Sequence, residues 1–241
     1  MIVGALDMLG LVNQDAYTPQ TAEQFDTAPS GGDGSSSDRG REDCRRGGQG
    51  WSEYGIPDAA NGNRATKMNA FLDSAWLAMN PGTEVTAAVR PPGYSWATRY
   101  AGHLGLNPRN NINNCHLLGK DLGGSGTDLS NLATCSRAAN TLVAGEIGRL
   151  VDNMSNHEAK VKNAVNAGQV VRYSVEPVYS GPRTVSMAFR MKADGVNPDG
   201  SQGIPVDRTI SNSLFSKKFN QWRNIGIVTH QGVAAPMAGT P

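Results

Sequence analysis

The chain has 241 residues and a mass of 25.5 kDa, room for one domain of moderate size or one domain with a tail. No Gly-X-Y or heptad period runs through it, so a fibrous protein is excluded, and no run of about 18 apolar residues exists, so no membrane span is expected. Lys and Arg number 22 against 21 Asp and Glu, a net charge of +1, less than a strongly basic nucleic-acid binder carries. That figure hides an asymmetry. Residues 1–50 carry four basic and eight acidic side chains and residues 51–241 carry 18 and 13, giving −4 and +5. The second segment is mildly basic, which suits a polyanionic ligand without requiring one.

In chain order, the first twelve residues are apolar but contain Asp7 and no Lys or Arg. A signal peptide needs a positive start and an unbroken apolar stretch, so none is expected. Residues 28–50 are rich in Gly, Ser and charge and read as a flexible linker, with a folded domain over 51–241. Met68, Phe71, Leu72, Ala75, Trp76 and Met79 predict a helix over 64–80, stopped at Asn80-Pro81-Gly82. A short strand over 84–89, a loop over 99–114, a strand end at 115–118 and a Gly-rich loop over 119–130 follow. From Asn131 a helical pattern runs through Ala133, Ala138, Leu142, Ile147 and Leu150, and a second piece reaches Asn166. Residues 169–179 and 184–192 alternate in strand fashion around Ser180-Gly181-Pro182 and predict an antiparallel hairpin. Phe219, Trp222, Ile225 and Val228 predict a closing helix over 215–228. The class is α+β with a mostly antiparallel sheet.

Of the three cysteines, Cys115 and Cys135 lie in the best-patterned region and Cys44 in the linker. Two readings stand: a Cys115–Cys135 disulfide, implying an oxidising destination, or two reduced buried thiols. Cys115 cannot serve His116 as a nucleophile, because neighbours on a strand point to opposite faces. The same geometry, and the want of a fourth ligand at a standard spacing, excludes a zinc site from Cys115, His116 and Cys135. The loop Gly123-Gly124-Ser125-Gly126-Thr127 lacks the P-loop lysine and reads as a turn. Among four histidines, His116 has the most informative surroundings. It ends a strand-like run, and a Gly-rich loop and an Asn-bearing helical pattern follow.

The run from Asn114-Cys115-His116-Leu117-Leu118-Gly119 through Leu122-Gly123-Gly124-Ser125-Gly126-Thr127-Asp128 to Asn131-Leu132, with Ala139-Asn140 beyond, resembles the DNA/RNA non-specific endonucleases. These are ββα-metal, or His-Me finger, nucleases, and the likeness is nearest the branch of bacterial secreted DNases and polymorphic-toxin domains. Val171-Arg172-Tyr173-Ser174-Val175-Glu176-Pro177-Val178-Tyr179-Ser180-Gly181 resembles the family's Pro-containing strand. Gly62-Asn63-Arg64-Ala65-Thr66 and Arg90-Pro91-Pro92-Gly93-Tyr94 resemble its upstream elements, so the likeness covers residues 51–195. One departure matters: the family reads Asp-Arg-Gly-His where this chain reads Asn113-Asn114-Cys115-His116, without the arginine.

The resemblance implies a ββα-metal nuclease core with a mostly antiparallel sheet flanked by helices. It implies a metal-dependent endonuclease acting on DNA and also on RNA. His116 would be the general base, a role a neutral imidazole fills near pH 7. Its ring would be oriented by a backbone carbonyl or by Asn131, for which helix N-capping is the plain alternative. Asn140 would ligate Mg²⁺, with Mn²⁺ the other candidate. Glu146, six residues further on, is a candidate outer acid, and Arg99, Arg109 and Arg137 are candidates to replace the missing arginine. Lys120, Arg172, Lys192 and Lys217-Lys218 are further candidates to line a groove. The family's lifestyle implies the toxic domain of a bacterial effector, secreted or delivered by a specialised system, with a cognate immunity protein over His116. A non-catalytic nucleic-acid- or partner-binding module of the same fold is the main alternative. A small secreted structural protein explains none of the Asn and His spacing.

Overall fold

The computed structural model describes residues 50–143, 152–230 and 233–234. The 28–50 linker lies outside them except for Gly50, and the first strand starts at Trp51.

The sheet is built from β1 (Trp51–Tyr54), β2 (Met68–Leu72), β5 (Val170–Val178), β6 (Ala188–Val196) and β7 (Gln202–Ser211). Their order is β1-β2-β5-β6-β7, and every pairing is antiparallel. The expected β5–β6 hairpin forms, with Val175 facing Met191 and Pro177 facing Phe189. Val171, Tyr173 and Val175 are fully buried while Arg172 and Glu176 are exposed. Period-two burial of this kind contributes roughly 1.5–3 kcal/mol for each large apolar side chain removed from water. β6 begins at Ala188, so the stretch from Thr184 to Met187 approaches the sheet as coil.

Against the buried face pack α5 (Met154–Asn166) and the strand pair β3 (Ile112–His116) and β4 (Leu132–Ser136). Val161 and Val165 from α5, Leu117, Leu118, Leu122 and Ala133 from around the strand pair, and Met68, Leu72, Tyr173 and Met191 from the sheet share one core. β3 and β4 are antiparallel, Ile112 opposite Ser136 and His116 opposite Leu132. A disulfide joins Cys115 to Cys135 across the pair, with Cα atoms 5.8 Å apart. The short helix α4 (Arg137–Asn140) follows β4 directly, its first turn capped by Ser136 accepting from the Ala139 amide.

A second apolar cluster lies under α2 (Tyr94–His103). It joins Trp96, Ala97, Tyr100, Ala101, Leu104 and Ile112 to Val185, Leu214 and Ile225. Leu214 belongs to β8 (Ser213–Ser216), and Ile225 directly follows β9 (Gln221–Asn224), its hairpin partner. The short helix α3 (Pro108–Asn111) links α2 to β3, and a small pair of β10 (Thr229–His230) and β11 (Val233–Ala234) follows.

Five expected elements differ. The helix expected over 64–80 divides into β2 and α1 (Ser74–Met79). Met68, Ala70 and Leu72 satisfy a two-residue period as well as a helical one, and β2 gains partners on both edges. The divide is Asp73, whose carboxylate accepts the Trp76 amide as an N-cap at 2.6 Å. Residues 132–136 form strand, because Ile112–His116 lies ready to pair with them. Residues 84–89 have no strand partner among the described residues and stay irregular, while 99–114 contain the second half of α2, all of α3 and the start of β3. The closing helix expected over 215–228 is the β8–β9 hairpin, where Phe215 stands opposite Trp222 with ring centroids 5.3 Å apart.

Candidate active site

A cleft of about 800 Å³ opens where β3, α4 and α5 meet the loop between Asn80 and Gly93. His116, at the end of β3, and Asn140, at the end of α4, both line it. They face it together because β3 and β4 are paired in fixed register and α4 starts from the end of β4. Strand alternation then aims His116 away from Cys115, whose side chain is sealed in the core.

The His116 ring donates from Nε2 to the Thr83 carbonyl at 3.3 Å. A carbonyl only accepts, so Nε2 carries the proton and Nδ1 keeps its lone pair. Burial pushes the imidazole below its ordinary value of 6.5, opposed by the Thr83 bond and by the charge of Glu84. The ring is therefore neutral at pH 7. Thr83 is itself fixed: its N–H donates to the Gly124 carbonyl at 2.9 Å and its hydroxyl accepts from the Gly126 amide at 2.8 Å. Glu84, beside it, pairs with Lys120 at 2.7 Å across the rim.

Asn131 does not orient His116. It is fully buried, and its side chain bonds to backbone alone. Its Oδ1 accepts the Leu118 amide at 2.8 Å, and its Nδ2 donates to the carbonyls of Leu118 at 3.1 Å and Ser125 at 2.9 Å. Its own carbonyl accepts the Leu117 amide, so Asn131 extends the β3–β4 ladder beyond His116 and ties the Gly-rich loop to it. The carbonyl of Thr83 takes the orienting place. Nor is Asn131 the N-cap of a long helix: Asp128 caps the short turn that contains it.

The Gly-rich loop serves close packing. A Cβ on Gly124 would collide with the Leu118 carbonyl and press on the Asn131 amide. One on Gly119 would meet the Glu158 carboxyl at 2.9 Å. That carboxyl is the residue that sequence spacing missed. Glu158 lies on α5 and lines the cleft with His116 and Asn140. No donor among the described residues reaches it, and burial, with Asp121 adding to the effect, pushes it up to about 7. Glu146, the expected outer acid, lies outside the described residues. The hydroxyl of Tyr173, beneath in the core, is also without a partner there.

The three candidate arginines, Arg99, Arg109 and Arg137, are exposed and do not line the cleft. Arg90, Lys120 and Lys162 do. Arg90 rests over the Tyr94 ring at 4.5 Å. Asn114, where the family has its arginine, also lines the cleft and donates to the Val89 carbonyl at 2.7 Å, so it holds the loop that presents Arg90. Lys162 is bound to Asp121 at 2.8 Å. Arg172, Lys192, Lys217 and Lys218 lie elsewhere. His157 is buried beside the Asp152 carboxylate rather than open to the cleft.

A strand pair that delivers a histidine and a following helix that delivers an asparagine to one cleft define the ββα-metal class of nucleases. The sequence matches the DNA/RNA non-specific endonuclease family over residues 46–197, and the chain belongs to that family. It is a nucleic-acid hydrolase. Among solved structures, NucA from Streptococcus agalactiae with magnesium ion bound is similar at 19% identity and TM-score 0.51, covering 73% of this chain and 80% of that one. NucA with no metal bound is similar at 18% identity and TM-score 0.50, covering 73% and 78%. At these identities the likeness shows the shared fold. No curated protein matches the sequence.

Proposed function

We propose that this domain cleaves phosphodiester bonds of DNA and RNA without sequence preference, with His116 as general base and a divalent cation held by Asn140. The observation that carries this reading is the placement of His116: Nε2 lies 3.3 Å from the Thr83 carbonyl, and the ring shares one cleft with Asn140 and Glu158. The donors fit a hard, hydrated cation. The half-buried Glu158 carboxyl lines the cleft with no protein donor among the described residues, and a cation beside it would favour its charged form. The Asn140 amide is likewise untied there. No group of three His, Cys, Asp or Glu among the described residues could form a closed metal cage, which suits a cation that keeps most of its waters. NucA binds magnesium, and Mg²⁺ is the ion assigned here, with Mn²⁺ able to take its place.

When bound, such a cation supplies positive charge for the phosphate oxygens and an acidified water for the leaving oxygen. Nδ1 of His116 takes a proton from a water in the cleft as that water's oxygen attacks phosphorus. The Thr83 carbonyl keeps the ring from rotating and stabilises the imidazolium that results. Arg90 and Lys120 offer charge to flanking phosphates, in the role of the family's missing arginine. Contacts of this kind read backbone and not base edges, hence the lack of sequence preference.

Incubation of supercoiled plasmid with Mg²⁺, Mn²⁺ or EDTA tests the reading. Metal-dependent nicking should fall about 10²–10⁴-fold in His116→Ala, the usual worth of a general base, and the metal midpoint should rise in Asn140→Ala. Nicking that survives in His116→Ala would remove the assignment. No cleavage of DNA or RNA with either metal would point to a non-catalytic module. The resemblance further supports delivery as the toxic part of a bacterial effector, neutralised by an acidic immunity protein over the cleft. The Cys115–Cys135 bridge supports an oxidising destination. Expression in the bacterial cytoplasm should kill unless His116 is replaced.

A further inference from the structure

The chain's carboxylates avoid two stretches of the sequence. Between Val85 and Gly119 there are three cations, Arg90, Arg99 and Arg109, and no Asp or Glu. From Thr209 to Pro241 there are three more, Lys217, Lys218 and Arg223, and again no Asp or Glu. All 21 acidic residues fall outside these two segments of the sequence. These two segments are far apart in sequence but form one body, because the second apolar cluster joins Trp96, Tyr100 and Leu104 of the first to Leu214 and Ile225 of the second. Ser216 donates to the Leu104 carbonyl at 3.0 Å, and the Lys218 side chain passes 3.8 Å from a Cβ placed on Gly105. The β8–β9 turn thus sits against the C-terminal end of α2.

The N-terminal end of α2 is at the cleft, where Tyr94 and Arg90 line the wall. Ser95, Arg99 and His103 recur at four-residue spacing on the exposed side of the helix. The helix therefore carries a path from the cleft, past Arg99, to the turn with Lys217, Lys218 and the 40% exposed ring of Phe219. Ten residues at 1.5 Å give a path of about 14 Å, some four nucleotide steps of 3.4 Å. Arg99, Arg109, Lys217 and Lys218 form no ion pair among the described residues. Surface cations usually find carboxylates nearby, and here the chain withholds them. The hairpin also lies wholly beyond residues 46–197, the part matched by the family.

We propose that this acid-free face, formed by α2 and the β8–β9 turn, is an accessory binding track for nucleic acid. It holds the strand that leads away from the cleft by its phosphates, with Phe219 offering a ring to a base at an end or an opened step. The inference rests on the nuclease reading for what the cleft does, but the track binds polyanion whether or not the cleft cuts.

The test uses the full chain with His116→Ala, so that binding is measured without cleavage. The triple variant Arg99→Gln, Lys217→Gln, Lys218→Gln on that background is compared with it on a 30-base-pair duplex and on a tetranucleotide, across 50–200 mM salt. If three phosphate contacts are lost, the slope of log affinity against log salt falls by about 2.7, and the loss of affinity between 50 and 200 mM shrinks about 40-fold. Tetranucleotide binding should be unchanged. With His116 restored, the triple variant should raise KM for plasmid and leave kcat intact. Equal salt slopes for the two proteins would overturn the track, and so would an equal loss on the tetranucleotide. A face kept for an acidic protein gives the first of these. An uncut plasmid with an altered slope would sink the nuclease reading and leave the track standing. Unchanged thermal melting of the triple variant verifies that the fold is intact.

Discussion

Replacement of Asn131 by alanine separates the two roles this residue could have. Asn131 is fully buried, and its amide bonds three backbone groups: the Leu118 amide, the Leu118 carbonyl and the Ser125 carbonyl. Alanine leaves all three without their partner, next to a glycine loop with no space to repack. A buried polar group left unmade costs about 1–3 kcal/mol, so the expected loss is about 3–9 kcal/mol, a large share of a domain's total of roughly 5–15. In a domain of this size each kcal/mol moves Tm by about 2–4 °C. The variant should therefore melt at least about 6 °C below wild type by circular dichroism. Plasmid nicking should fall too, since Leu118 is two residues from His116 and the loop also carries the Gly124 carbonyl that holds Thr83. The two losses should come together. A Tm within about 2 °C of wild type with nicking abolished would refute this account and put Asn131 in the chemistry.

Three further outcomes are expected. Because burial holds His116 below 6.5, activity should persist below the pH at which a free histidine is half protonated; the unfolded ring takes its proton first as pH falls, so the stabilising contribution of the neutral ring is complete above 6.5 and lost as pH drops through the folded value. An acid limb of kcat/KM centred above 6.5 would contradict the burial. Glu158 has the opposite sign: its carboxyl is raised from 4.5 to about 7, so its contribution is complete below 4.5 and lost as pH rises through about 7. In EDTA, Glu158→Gln should melt higher than wild type at pH 8 and not at pH 4.5, and Mg²⁺ should raise the wild-type Tm more than the variant's; identical melting at both pH values would remove the claim. Paired replacement of Cys115 and Cys135 by alanine should cost about 3 kcal/mol for a bridge between residues 20 apart, hence a Tm drop of about 6–12 °C, with calorimetry as the readout and an unchanged Tm as the contrary result.

The sequence was readable where burial and local chemistry agreed. Val171, Tyr173 and Val175 alternate with exposed residues, and β5 forms where the alternation placed it. It was misread where two periods fit the same residues. Met68 to Met79 suited a helix throughout, and the sign of a break was Asp73, a capping residue inside the apolar pattern. Ser136 gives the same sign between β4 and α4. The tail was misread because Phe219, Trp222 and Ile225 match a helical spacing, although Leu214 and Ile225 are what the core takes and Phe219 sits at a turn.

His116 and Asn140 were legible because one continuous ββα unit carries both, and strand register with a capped helix is enough to bring them together. Thr83 and Glu158 belong to elements remote in sequence. Thr83 reaches His116 through its backbone carbonyl, an atom every residue has, so no residue type marks the place. Glu158 reaches the cleft because Gly119 has no side chain to keep it out. Its signal was therefore a glycine on another element, and only the packing of α5 connects the two. The groups proposed for the reaction thus divide into a local pair, fixed by spacing, and a tertiary pair, fixed by the core. Loosening the core, as Asn131→Ala does, should disturb the second pair before the first, and loss of the Thr83 bond should free the His116 ring while β3 still holds its Cα in place.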